Sequence, residues 1–204
     1  MGIYQDRVLP RVLDVALGAR ALGKLRARTA AGLSGDVLEL GFGTGRNVDH
    51  YPWQVRRVLA VDPAVAGRRI AAPRVARSPV AVEYVGLDGQ ELPLDDASVD
   101  NALSTWTLCT IPDVARALGE VRRVLRPGGR LHFLEHGLSP DAKVARRQHR
   151  LTPLQARLFG GCHLDRPIDT LVADAGFRVD DVRHYYVAGP KAFGYMSEGV
   201  ADPC

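Results

Sequence analysis

The sequence predicts a doubly wound α/β domain, and three observations carry that prediction. Short apolar runs at 36–40, 58–61, 80–87, 99–105 and 130–135 alternate with stretches of helical periodicity. A glycine cluster follows the first run directly. Acids, Asp62 and Asp88, close the next two. Strands alternating with helices imply a parallel sheet with helices on both faces. Ligands of such sheets bind beyond the carboxyl ends of the strands. No linker divides the 204 residues, a length suited to one domain spanning 1–204.

The elements follow in order. Between Tyr4 and about Ala30, the residues Val8, Leu9, Val12, Leu13, Ala16, Leu17, Leu22 and Leu25 recur at three- and four-residue steps. That spacing predicts an amphipathic helical region, broken near Gly18 or Gly23. The strand at 36–40 runs into Gly41, Gly43 and Gly45, and a helix is expected over 46–51. Strands follow at 58–61, 80–87 and 99–105. A helix over 114–125 is stopped by Arg126-Pro127-Gly128-Gly129, and the fifth strand covers 130–135. A polar, His- and Arg-rich segment fills 139–164. A helix over 167–175 and strands at 177–186 and 194–200 complete the chain.

Composition narrows the function classes. The net charge of +4 comes almost wholly from arginine, scattered in pairs such as Arg56-Arg57, Arg68-Arg69, Arg122-Arg123 and Arg146-Arg147. A nucleic-acid binder concentrates its bases, so these read as solvated faces and no nucleic-acid partner is expected. Three cysteines without a Cys-x-x-Cys pair suggest neither a disulfide framework nor a zinc ribbon. Asp6, Arg7 and Arg11 interrupt any signal-peptide pattern, and the longest uncharged stretch, 101–112, falls short of the ~20 residues of a spanning helix. A cytoplasmic location is the expectation.

The run Leu38-Glu39-Leu40-Gly41-Phe42-Gly43-Thr44-Gly45 carries the first chemistry. Its spacing is Gly-x-Gly-x-Gly, and Arg46 stands where a dinucleotide fingerprint needs its third glycine. An acid as close as Glu39 suits a cationic amino-acid ligand better than a pyrophosphate; the plainer reading is a structural turn. Asp62, 23 residues beyond Glu39, sits where a carboxylate accepts bonds from both ribose hydroxyls, or else caps a helix ahead of Pro63. Asp88 closes the third strand, and Leu92-Pro93-Leu94 after it is typical of a base-binding loop.

On these residues the chain resembles the class I S-adenosylmethionine-dependent methyltransferases, including the ubiquinone and menaquinone biosynthesis enzymes. The matching stretches are 37–47, 58–63, 84–94, 98–113 and 121–129. The resemblance implies a Rossmann-like, mostly parallel sheet of seven strands with the last antiparallel, and S-adenosyl-L-methionine as cofactor. It puts Glu39 and the loop of Gly41, Gly43 and Gly45 at the methionine part, Asp62 on the ribose and Asp88 on the adenine amino group. Asn47, Pro63, Gly89, Thr105 and Trp106 complete the implied site; for Trp106, core packing is an equal reading. A narrower resemblance rests on Asn47 with Tyr51-Pro52, Thr107-Leu108-Cys109, Phe133-Leu134-Glu135-His136 and Gly161-Cys162-His163-Leu164-Asp165-Arg166. These resemble small methyltransferase-like proteins whose animal members are membrane-bound thiol methyltransferases, although the apolar N-terminal anchor of those proteins is not matched here.

Methyl transfer needs an in-line nucleophile, exclusion of water and sometimes a base. His136, just past the fifth strand, is the expected catalytic base, with a strand-end structural role as the alternative. His132 is expected in the sheet, and His50 and His184 lack partners in sequence. Segment 139–165 is the expected substrate lid, with His149, Cys162 and His163 as second candidates, and helix 1–31 is an N-terminal lid or an interfacial helix making transient membrane contact. No ligand pair among Cys109, His136, Cys162 and His163 has a strong spacing, so no metal is expected and the cysteines read as small buried hydrophobes. The expected acceptor is a small, lipophilic thiol or phenol/quinol. N-methylation of a phospholipid amine headgroup and a non-catalytic cofactor-binding role are the alternatives.

Overall fold

The computed structural model describes residues 8–204; Tyr4, with which the helical reading of the N-terminus began, lies outside them. Two helices open the chain, α1 (Leu9–Ala16) and α2 (Arg20–Ala30), and the break falls at Gly18. Then come β1 (Gly35–Leu40), β2 (Val55–Val61), α3 (Val65–Val75), β3 (Ala81–Gly86), β4 (Val99–Thr105), α4 (Val114–Val124) and β5 (Leu125–His136). The chain ends in α5 (Ala142–Leu158), α6 (Ile168–Asp174), β6 (Phe177–Tyr186), the single turn α7 (Lys191–Gly194) and β7 (Tyr195–Pro203).

One seven-stranded sheet has the order β3-β2-β1-β4-β5-β7-β6. The first five strands pair in parallel, whereas β7 runs antiparallel to both β5 and β6. The expected fold, including the antiparallel last strand, is what forms. In the central strand β1 every residue from Asp36 to Leu40 is buried, as a parallel strand covered on both faces must be. The main core lies on the face of α4 and α6. Leu118, Val121 and Val124 of α4 and Val172 of α6 meet Leu38, Ala102 and Phe133 of the sheet there. Asp113 caps α4 by accepting from the Arg116 N–H at 3.0 Å.

Four local expectations change. The helix expected at 46–51 is one 3-10 turn, Val48–His50, because Asn47 spends its side chain on the sheet and Pro52 ends the segment. A helix absent from the sequence reading, α3, covers Val65–Val75 despite Pro73. Strand β5 starts at Leu125, and the Pro-Gly-Gly run forms an irregularity inside it, between the pairs Val99↔Leu125 and Asn101↔Arg130. The polar segment is mostly the 17-residue helix α5.

Candidate active site

The carboxyl ends of β1, β2, β3 and β4 open into one cavity of about 620 Å³, within the range of small-molecule sites. Its walls include Gly41, Gly43, Asn47, Asp62, Pro63, Asp88, Gly89, Thr105 and Trp106. Glu39 and Gly45, expected with them, do not reach the wall. The sheet thus brings nine of those positions together from four strand ends and leaves two behind them.

The glycine loop is shaped by two close constraints. Gly41 has φ +76°, and a Cβ there would collide with the Thr107 side chain. Gly43 has φ +55° and faces open space, its nearest neighbour being the Gly41 carbonyl at 3.9 Å. One position is glycine to let the wall close, the other to leave room above the loop. Asp62 holds the loop, accepting from the Gly43 N–H and the Ala64 N–H, each at 2.7 Å. Burial raises its carboxyl pKa against those two bonds. Asp88 lies at the exposed rim, its Oδ1 accepting from the Gln90 backbone N–H at 2.8 Å and side-chain amide at 2.9 Å, which hold its pKa down.

Beneath the loop lies a buried polar floor. Arg26 of α2 donates to Asn47 Oδ1 at 2.8 Å and Thr105 Oγ1 at 2.9 Å. Asn47 donates in turn to Glu39 Oε1 and to Thr105 Oγ1, each at 3.0 Å, and the Tyr51 hydroxyl donates to Glu39. Burial pushes the Glu39 carboxyl up to about 7 and brings the Arg26 guanidinium down to about 10. The guanidinium carbon sits 4.5 Å from the Trp106 ring centroid, a cation–π contact. Trp106 itself has φ +51°, in the left-handed region that a bulky residue adopts only under constraint. Its backbone N–H donates to Leu134 O, and next to it the buried Glu135 carboxylate accepts from the Thr107 N–H and Ser104 hydroxyl. Arg26 lines the cavity from a polar, arginine-rich helix, and nothing in its sequence spacing marks it.

The N-terminal helix covers the cavity with Leu9, Leu13 and Leu17. It is tied down by Asp14, which pairs with Arg46 at 2.7 Å and Arg74 at 3.2 Å. Desolvation raises the Asp14 pKa, but the bonds from Thr44, Arg46 and Arg74 outweigh it and lower the value overall. Arg46, the residue that breaks the dinucleotide fingerprint, thus joins the glycine loop to α1. From segment 139–165, Phe159 and Gly160 complete the far wall.

His136 stands elsewhere than expected. It is buried, its Nε2 lies 3.0 Å from Cys162 Sγ, and it does not line the cavity. The antiparallel partner β7 continues alongside β5 to the His136↔Met196 pair, so the strand does not deliver the ring to the open edge. None of the six histidines lines the cavity. His149 pairs with Asp165, His163 Nδ1 meets Gly161 O at 2.7 Å, His184 pairs with Asp169, and His132 Nδ1 lies on Thr29 O at 3.1 Å. Cys109 and Cys162 are buried with their sulfurs 3.8 Å apart.

Known proteins resemble this chain in sequence and in fold. The family described as Methyltransferase domain matches residues 38–133. Mouse thiol S-methyltransferase TMT1B is 38% identical over 141 residues, which are 66% of this chain and 57% of that protein. Human thiol S-methyltransferase TMT1A is 32% identical over 178 residues, 81% of this chain and 72% of the relative. The chain therefore spans little more than half the length of the mouse protein. Among solved structures, a putative methyltransferase from Bacillus halodurans superposes with a TM-score of 0.69 at 17% identity, covering 89% of this chain and 96% of its own, and so shares the fold. The match from β1 to β5, and a relative alike over most of both chains, place this protein among the class I S-adenosylmethionine-dependent methyltransferases, enzymes whose methyl donor is S-adenosylmethionine.

Proposed function

We propose that the enzyme methylates a small, lipophilic thiol or phenol/quinol, and that the acceptor ionises without a histidine base. The observation that carries this reading is the acceptor side of the cavity. Leu9, Leu13, Leu17, Ile111, Pro112 and Phe159 face it, and no histidine does. Similarity to thiol S-methyltransferases supports the same acceptor class.

The cavity fits the donor. Asp62, fixed by two backbone N–H groups, retains lone pairs for the ribose hydroxyls, and Asp88 at the rim takes the adenine amino group. The room above Gly43 admits the methionine part, and Leu87 and Pro63 offer apolar surface to the base. Glu39 acts one layer down, orienting Asn47 and, through it, Arg26 and Thr105. When bound, S-adenosylmethionine supplies a methyl group on a positive sulfur, open to in-line attack. The chain's part is to orient that group, exclude water and admit the acceptor in its reactive form.

That last task separates the acceptor classes. An alkyl thiol, with a pKa of about 8.5, is several per cent thiolate near neutral pH, while an alkylammonium at about 10.4 is almost wholly protonated. A wall without a base therefore favours the thiol over an amine headgroup. Val12 and Val15 of α1, with Val8 just before it, are exposed, an apolar surface suited to brief contact with a membrane that holds a lipophilic acceptor. With α1 and Phe159 as the two sides of a lid, the acceptor enters between them.

The test is the pH dependence of kcat/KM for two thiols of different acidity. Below each thiol's own pKa the rate rises about ten-fold per pH unit, and the whole profile moves with the acceptor. A break at one pH for both acceptors would mean that a protein group removes the proton, and would return His136 to the mechanism.

A further inference from the structure

We infer that Cys109, His136 and Cys162 form a binding site for one thiophilic divalent cation of the zinc class, set in the wall behind the cavity. Their ligand atoms lie within 4.8 Å of one another, and all three residues are buried. Cys109 lies in the loop after β4, His136 ends β5, and Cys162 follows α5. The fold gathers two soft sulfur ligands and one imidazole nitrogen from three separate segments. That is the Cys₂His set that zinc takes with a fourth, exchangeable position.

The geometry is close to what the ion requires. Tetrahedral bonds of about 2.3 Å from a zinc ion hold two sulfurs about 3.8 Å apart. The Cys109 and Cys162 sulfurs are 3.8 Å apart. The His136–Cys162 edge, at 3.0 Å, has to open by roughly half an ångström, which a small side-chain rotation supplies. Gln155 directs its amide at the Cys162 sulfur from 3.7 Å, the outer support that metal-bound thiolates receive. His163 does not belong to this group of ligand atoms; its Nδ1 lies on the Gly161 carbonyl.

The position suggests what the ion does. Cys109 stands between Thr107 and Thr110, and Cys162 two residues beyond Gly160; Thr107, Thr110 and Gly160 all line the cavity. An ion bridging these cysteines clips the loop after β4 to the far wall. It sets the width of the acceptor side without touching the reacting atoms. The site does not depend on which acceptor the enzyme uses.

The test uses the full chain with the exposed Cys204 changed to serine, reduced, freed of metal with a chelator and titrated with Co²⁺. We expect one ion per chain, with thiolate-to-cobalt charge-transfer absorption and the intense visible bands of tetrahedral cobalt. One equivalent of Zn²⁺ should bleach both and raise Tm. Cys162→Ser and His136→Gln should weaken cobalt binding at least a hundred-fold, with circular dichroism confirming that each remains folded. Absent bands in the folded parent chain would overturn the site, as would an unchanged spectrum and stoichiometry in both variants. Should the variants not fold, the parent chain's own spectrum and stoichiometry decide.

Discussion

The two banks of the cavity treat their titratable groups in opposite ways. On the bank of β1, β2 and β3, Asp62, Asp88, Asn47 and the glycine loop present polar atoms to the cavity. On the bank of β4 and β5, the titratable groups Glu135, His136, Cys109 and Cys162 are buried off the wall, and Trp106, Ile111 and Pro112 face the ligand space beside the uncharged Thr105, Thr107 and Thr110. A constant ligand is best held by fixed hydrogen-bond partners, each worth about 1.5–3 kcal/mol when charged. A lipophilic acceptor is best met by apolar surface, and polar groups on that side serve to hold the wall. The first bank therefore identifies its ligand closely, and the second identifies only a class.

The largest effect expected tests whether inward-facing groups serve the fold. Burial drives the His132 pKa down to about 4 from an ordinary 6.5, against the bond with Thr29. The unfolded chain then binds more protons than the native one between those values. His132 stabilisation is fully present above about pH 6.5 and is lost as pH falls toward 4, a swing of about 3 kcal/mol. Glu39 and Glu135, both pushed up to about 7 by burial, act in the opposite sense, so the difference against His132→Asn is the quantity to measure. Denaturant unfolding should show the wild type's advantage shrinking by that amount between pH 6.5 and 4. A difference flat in pH would mean that His132 is charged in the folded state.

The second effect breaks or keeps the first bank. Asp62→Ala removes a charged acceptor, so affinity for S-adenosylhomocysteine should fall at least ten-fold by calorimetry. Because Asp62 also holds the Gly43 and Ala64 N–H groups, the apo melting temperature has to be recorded beside it. In the wild type the same ligand should slow hydrogen exchange in Leu9–Ala16 and around Phe159, the two sides of the proposed lid. Wild-type affinity in the variant would leave Asp62 as a loop anchor alone.

What could be read in the sequence follows the same division. Strand ends with Gly41, Asp62 and Asp88 were legible because each signal lies within a few residues and the sheet edge gathers them. Helix α5 was not, since two of its three buried side chains, Gln148 and Thr152, are polar. Gln148 accepts from the Ser139 N–H and donates to the Gly137 and Ala192 carbonyls, so there is no apolar period to find. Arg26, Glu135 and the Cys109–His136–Cys162 group matter through contacts between distant segments, which spacing along the chain cannot reveal. His136 misled for the complementary reason. Its place at the end of β5 was read correctly, but the direction of its side chain is set by Cys162, 26 residues away.

The smallest effect sharpens the first bank at its rim. Asp88 is exposed and makes its local bonds only to Gln90, so it contributes little to the fold. Asp88→Asn keeps the size and one acceptor oxygen, and the backbone N–H of Gln90 retains a partner. The apo melting temperature should therefore stay put. What changes is recognition. A carboxylate accepts from the adenine amino group, whereas an amide can turn its own N–H to a hypoxanthine carbonyl. Affinity for S-adenosylhomocysteine should drop about two- to five-fold, a modest loss because the amide keeps one acceptor and, at a wet rim, the charge assistance it forfeits is worth about 0.5–1 kcal/mol. The preference for adenine over hypoxanthine analogues should narrow by at least as much. Calorimetry with both ligands on both proteins separates the outcomes. If the melting temperature falls while the preference is unchanged, Asp88 supports the Gln90 turn and the base is read elsewhere, with the backbone around Gly89 the next place to look.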